Sequence, residues 1–152
     1  MLQGIIITYL KKHEDLRGWL AEIYRSDEIP STQNPTMAYV SLTLPGVSRG
    51  PHEHLEQSDF FCFLGLSRFR VYFWDNRPES STYRRHETFE TPEGALMAVN
   101  VPPKIVHGYK NIGAAPGLVL NFPNRLYRDK FKKGKVDEIR YENLANSIFK
   151  ID

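Results

Sequence analysis

The sequence predicts an all-β barrel or sandwich on three observations. Its apolar stretches are short runs rich in β-branched and aromatic residues. Turn residues punctuate them at short intervals, and no convincing 3.6-residue apolar period occurs before about residue 126. The runs are residues 5–10, 18–24, 37–44, 59–64, 69–74, 96–101 and 117–122. Between them stand Leu44-Pro45-Gly46, Arg49-Gly50-Pro51, Asn76-Arg77-Pro78, Thr91-Pro92-Glu93-Gly94 and Asn111-Ile112-Gly113, where Pro fixes φ, Gly supplies left-handed backbone and Asn tolerates it. Residues 136–142 add a strand or a short helix. Residues 128–135 are dense in Lys and Arg, as a solvated loop or as a lip for a diphosphate.

At 152 residues the chain has room for one domain, spanning 1–152, with a core large enough to hold without staples. Twenty Lys and Arg against 18 Asp and Glu leave a net charge of +2, which argues against a nucleic-acid or membrane partner. The single cysteine, Cys62, cannot form an internal disulfide, and a reducing compartment is expected. The apolar stretch at 4–10 is too short to cross a bilayer, and no basic residue precedes it, so a cytoplasmic protein without a signal peptide is expected.

Two spaced motifs carry the chemistry. The first is Gly46-x5-His52-x-His54-x4-Asp59-x5-Gly65, the second Pro102-x-Lys104-x2-His107-x3-Asn111. Side chains two apart on a strand share a face, so His52 and His54 point the same way, and a later strand carrying His107 can bring a third imidazole to the same pocket. His13 and His86 lie in polar stretches and are expected at the surface. The two patterns together resemble the paired signatures of the cupin superfamily. The implied architecture is a double-stranded β-helix, or jelly-roll barrel, with a short C-terminal extension.

A narrower resemblance covers residues 15–109. Asp15-Leu16-Arg17-Gly18-Trp19-Leu20-Ala21-Glu22, Arg49-Gly50-Pro51-His52, Asp75-Asn76-Arg77-Pro78-Glu79-Ser80-Ser81-Thr82-Tyr83 and Val101-Pro102-Pro103-Lys104-Ile105-Val106-His107-Gly108-Tyr109 occur in order. They are similar to four motifs of the dTDP-4-dehydrorhamnose 3,5-epimerase family. The resemblance implies a metal-free, cofactor-free homodimer that epimerises a dTDP-linked 4-keto-6-deoxyhexose through an enolate. By the match His52 is the base, for which a pKa near ~6.5 is well suited. Arg49 lies against the sugar, and Arg17 and Glu22 contact the nucleotide end. His54 and His107 line the substrate pocket, Tyr127 matches a tyrosine beyond the last barrel strand, and Asp152 is the candidate for the aspartate that supports the base.

Two positions depart from the family pattern. Asp59 stands where the family has a lysine that stabilises the enolate, and Asn121 stands where it has a tyrosine acid. An amide is no comparable proton donor. Three readings follow. The chain is an epimerase or isomerase with a substituted acid, such as Tyr109 or Tyr127. Alternatively, His52, His54 and His107 hold a divalent metal with Asp59 or Gln57 as a fourth ligand. In the third, the fold binds a sugar without turning it over. For the metal reading, whether Asp59 faces the histidines depends on the turn between them, which spacing leaves open.

Overall fold

The computed structural model describes residues 1–128, 130–131 and 133–152. The basic stretch 128–135 thus includes Asp129 and Lys132, which lie outside the described residues. Of the others there, Arg128 stacks over the Tyr127 ring and Lys130 over Phe131.

Two five-stranded antiparallel sheets face one another. One is built from β1 (Ile6–Tyr9), β4 (Tyr39–Thr43), β6 (Asp59–Phe63), β9 (Met97–Val101) and β11 (Gly117–Asn121), in the order β1-β9-β6-β11-β4. The other holds β5 (Ser48–Glu53), β7 (Phe69–Asp75), β8 (His86–Glu90), β10 (Ile105–Asn111) and β12 (Ile139–Arg140), in the order β12-β5-β10-β7-β8. A separate hairpin pairs β2 (His13–Asp15) with β3 (Gly18–Leu20). From β4 to β7 and from β9 to β12 the chain crosses from one sheet to the other at each step, which winds the jelly roll expected from the sequence. Among the described residues the only helical turn is 3₁₀, at Ser31–Gln33, and no helix is long and apolar enough to cross a membrane.

Alternation fixes which residues fill the interior. Phe61 and Phe63 of β6 point inward against Phe69 and Tyr109 of the opposite sheet, with ring centroids 5.2–6.0 Å apart. Each such pair adds roughly 0.5–1.5 kcal/mol beyond the area it buries. Val71, Val99, Ile105 and Val119 complete this core. The intervening residues Phe60, Cys62 and Ala98 point to the outer face, where Leu10, Ile23, Tyr24 and Ile29 cover them. That cover corrects one expected boundary. The run 18–24 stops pairing at Leu20, and Ile23 and Tyr24 use their apolar side chains to roof Phe60 and not to extend a sheet.

The strand β8 went unpredicted because His86–Glu90 reads as polar. It is an edge strand, exposed or half-buried along its length, held by pairing to β7 and by Phe89 stacking on Phe73 at 5.9 Å. His86 is exposed and stacks on Trp74, and His13 is exposed too. Of the two alternatives for 136–142, the strand is found, over two residues.

The run Asp75-x-Arg77-x2-Ser80-x-Thr82 ties the loop after β7 to the chain's first residues. Asp75 Oδ2 accepts from Arg77 (2.7 Å), Ser80 (2.6 Å) and Thr82 (2.5 Å), and Arg77 also donates to the Gln3 carbonyl at 2.6 Å. Burial alone would raise the Asp75 carboxyl, but these donors outweigh it and hold its pKa well below the ordinary value. A folded-state pKa below the unfolded one contributes stability above pH ~4 that is lost as pH falls toward the folded value. Asp75→Ala is expected to cost about 3 kcal/mol in urea unfolding, because it leaves a largely buried guanidinium unpaired. Asp75→Asn is expected to flatten the acid side of the stability–pH curve. A loss indistinguishable from zero for Asp75→Ala would show that the network is idle.

Candidate active site: a histidine and carboxylate cavity

Toward one end of the barrel the apolar interior gives way to polar side chains from five inward-facing strand segments. Parity places them: Asp59 precedes the inward Phe61, Asn121 follows the inward Val119, and His107 precedes the inward Tyr109. His52 pairs directly with His107 across β5 and β10, their ring centroids 4.6 Å apart, and His54 lies 5.3 Å from His52. One ligand atom from each of His52, His54, Asp59 and His107 falls within 4.8 Å of the others. The turn between β5 and β6 therefore sets Asp59 facing the histidines, the point that spacing left open.

Asp59 is 1% exposed. Its Oδ1 accepts from the amides of Gln57 (2.9 Å) and Asn121 (2.8 Å), while its Oδ2 lies 3.1 Å from His54 Nε2 and 3.2 Å from His107 Nε2. Burial would raise the Asp59 carboxyl, but His107 and His54 beside it outweigh that and keep it ionised, with its pKa well below the usual range. Burial lowers the proton affinity of His54, and Asp59 raises it by more, so its pKa is lifted. At His52 burial and the neighbouring His107 and His54 act together, and its pKa falls well below the ordinary value. His52 is thus a neutral imidazole at the pH of the cell, with a lone pair to offer.

Arg49 reaches this side of the sheet by an irregularity. Position 49 has the opposite parity to position 52, but the register between β5 and β10 shifts between His107 and Tyr109, so Arg49 pairs with inward-facing Tyr109. Its guanidinium donates to Thr43 Oγ1 (3.0 Å) and the Leu42 carbonyl (2.9 Å). Gly50 makes this bulge possible. It sits at φ +82°, and a Cβ there would lie 2.7 Å from the His107 carbonyl oxygen and 3.0 Å from His52 Nδ1.

The remaining sequence-predicted residues lie elsewhere. Arg17 is on the β2–β3 hairpin with its guanidinium held by Asp15. Glu22 lines a separate cavity of about 250 Å³ with Tyr9, Tyr24, Phe60 and Asn100, on the outer face of the first sheet. Neither meets the histidines within one chain. Tyr127 is exposed under Arg128. Asp152, expected to support His52, accepts from the Tyr72 hydroxyl at 2.5 Å and pairs with Arg70 at 3.4 Å. Tyr72 and Arg70 alternate with inward-facing Val71 and Phe73, so Asp152 lies on the outer face of the second sheet, and that expectation is corrected. Tyr109 is buried in the aromatic core, its hydroxyl 2.9 Å from Ser41 Oγ.

Three residues of the cavity were missed. The Tyr39 hydroxyl accepts from Asn121 at 2.8 Å, and burial, with the Asp59 charge, pushes its pKa up to about 12. The alternation Tyr39, Ser41, Thr43 was the signal available for it. Asp137 had none. Its carboxylate accepts from the backbone N–H groups of Leu55, Glu56 and Gln57 at 2.8–2.9 Å, and its carbonyl oxygen accepts from His54 Nδ1–H. Glu138, next along, keeps a largely buried side chain paired to Arg140 at 2.7 Å. The last described strand and its approach thus form one wall of the cavity.

The crossed sheets and the polar cavity at one end define a jelly-roll cupin whose interior presents a neutral imidazole beside a buried carboxylate. The chain belongs to the dTDP-4-dehydrorhamnose 3,5-epimerase family, whose model matches residues 1–134. It is 40% identical over 128 residues to a probable low-salt glycan biosynthesis epimerase of Haloferax volcanii, covering 83% of this chain and 81% of that one. It is 30% identical over 127 residues to the spore coat polysaccharide biosynthesis protein SpsL of Bacillus subtilis, covering 84% and 83%. Among solved structures, a dTDP sugar isomerase from Desulfovibrio desulfuricans has the same fold, with a TM-score of 0.75, 20% identity, and 91% of this chain and 84% of that one covered.

Gly50→Ala tests the bulge. The substitution is expected to cost about 1–3 kcal/mol from the strained φ and the close backbone approach, read by denaturant unfolding. An unchanged midpoint would mean that β5 can pair with β10 in another register.

Proposed function

We propose that the protein is a nucleotide-sugar epimerase or isomerase that acts beside the ketone of a dTDP-linked 4-keto-6-deoxyhexose, in the biosynthesis of a deoxysugar-containing glycan or polysaccharide. The observation that carries this reading is the His52 imidazole: inside the cavity, kept neutral, and with no hydrogen bond to its ring among the described residues. Family membership supports the reaction type, and the two relatives named for glycan and polysaccharide biosynthesis support the setting.

In this reading His52 takes a proton from the carbon beside the ketone, and the C–H electron pair delocalises into the enolate. Arg49 lies on the same side of β5 and binds the sugar, its charge countering that of the enolate oxygen. A proton returned to the opposite face of that carbon inverts the centre. Tyr39 is the donor that fits best, because its hydroxyl accepts from Asn121 and its own proton remains free to give. It supplies from β4 the phenol that the family carries where Asn121 stands here.

The reading includes a homodimer. Strand β4 is a sheet edge, and Val40, Leu42 and Leu44 on and beside it are each more than half exposed, as is Trp19 on the hairpin. A second copy laid along this edge would cover them. It would also give Arg17 and Glu22, which meet no histidine within one chain, a cavity to serve. The cytoplasm is the proposed compartment: Cys62 is buried and unpaired, and burial pushes its thiol up to about 12, so it calls for no oxidising surroundings.

Incubation with a dTDP-4-keto-6-deoxyhexose in deuterated water is expected to place deuterium on a carbon beside the ketone. His52→Ala is expected to slow that exchange by about 10²–10⁴-fold, the usual worth of a general base. The rate is expected to hold level through neutral pH and fall only in acid, below the ordinary histidine range, where His52 takes up a proton. Full exchange by His52→Ala would reject the base assignment, and no exchange with any nucleotide sugar would favour a binding protein. Sedimentation is expected at twice the chain mass, shifting to the monomer in a Val40→Glu, Leu42→Glu double variant; a monomeric wild type would remove the dimer.

A further inference from the structure

We infer that the cavity on the outer face of the first sheet is a saccharide site, which takes one neutral hexose unit apart from the interior of the barrel. Register builds its floor. Ile6 of β1 and Phe60 of β6 both pair with Asn100 of β9, and Thr8 pairs with Ala98, so these side chains share the face opposite the core. Ile23, Tyr24 and Ile29 pass over them and close off about 250 Å³. That is below the roughly 300–1,000 Å³ that drug-sized ligands occupy, and leaves room for a single ring.

Asn100 is the polar member of an otherwise apolar row. It is 2% exposed, its Nδ2 donates to Gln33 Oε1 on the 3₁₀ turn, and its Oδ1 is buried with no hydrogen-bond partner. A carbonyl withdrawn from water and left unmatched is costly, and a ligand hydroxyl in the cavity supplies the missing donor. Thr8 lines the same space, and its hydroxyl forms no hydrogen bond among the described residues.

The walls select the ligand. Tyr24 and Phe60 meet at 79° with ring centroids 5.7 Å apart, which makes a corner. A flat base needs parallel walls to stack between, whereas a chair-shaped ring sets its C–H face on one aromatic and its edge on the other. The charges do not suit a phosphate. Arg25 at the rim already pairs with Asp27 (2.7 Å), Glu22 (3.3 Å) and Glu28 (3.5 Å), so its charge is spent. Lys11 alone, exposed at the rim, lacks the converging donors that a phosphate site needs. A neutral polyol with an apolar face meets both conditions. The site also stands clear of the reaction and of the proposed dimer. Val99 and Val101 face the core on either side of Asn100, so the sheet separates the cavity from His52, and β1 and β4 are opposite edges of that sheet. A second copy along β4 leaves the cavity open, and the inference does not rest on the function proposed above.

The test is saccharide binding followed by backbone NMR on the full-length protein. D-Glucose, D-galactose, D-mannose and N-acetyl-D-glucosamine are titrated, each as the free sugar and as its methyl glycoside. Shifts are expected at Ile6, Phe60, Ala98 and Asn100, with His52 and His107 unmoved. A response to both forms marks the end of a glycan as the source, and a response to the free sugar alone marks a monosaccharide. Asn100→Leu, which nearly keeps the volume and removes the acceptor, is expected to weaken binding about 10-fold. Thr8→Val, at an exposed edge-strand position, is expected to weaken it roughly 3-fold, and it carries the test should Asn100→Leu fail to fold. No response to any of these sugars, shifts centred on the barrel interior, or affinity unchanged in every folded variant would overturn the site. The readout needs neither a nucleotide sugar nor turnover, so its failure and the failure of deuterium exchange are separate results.

Discussion

A carboxylate shut away from water has to be met by donors or positive charge on every side, and Asp59 imposes that demand on the end of the barrel. Its neighbours answer in layers. Asn121 and Gln57 hold one oxygen, His54 and His107 face the other, and those rings are pinned in turn to Ile105 and Asp137. The apolar half of the interior needs only shape and volume. The polar half is specified bond by bond, and it determines where the chain after β11 must return.

The two positions at which the sequence resemblance breaks form a single structural unit. Asp59 and Asn121 sit on neighbouring strands and are bonded to each other at 2.8 Å. Where the resemblance implies a cation and a phenol, this chain carries an anion and an amide that satisfy one another. A lysine alone at 59 would meet two imidazoles across a buried space, and a tyrosine alone at 121 would have to displace the bond to Asp59. Either exchange by itself is costly, and Tyr39 reaches in from β4 beside the pair to bond Asn121.

Much of the fold was legible because it rests on local rules. Runs such as 59–64 and 117–122 pair β-branched and aromatic residues with turn chemistry, and they became strands within a residue of their expected ends. His52 and His54 share a face because strand parity is a local property. What escaped were features decided at a distance. Strand β8 exists because β7 offers it an edge. Residues 21–24 were drawn off to cover Phe60. Arg49 was expected at the site from the resemblance alone, since parity opposes it and only a bulge cancels that parity, and Asp59 faces inward because the turn at 55–57 is gripped by a carboxylate about eighty positions further on. Asp152 was drawn outward by Tyr72 and Arg70, which no spacing could have revealed.

The grip of Asp137 on that turn reaches beyond this molecule. The family model matches residues 1–134, so the group that orients His54 lies just past the matched segment. A chimera assembled at the family boundary would transplant the imidazoles while leaving behind the strap that aims them.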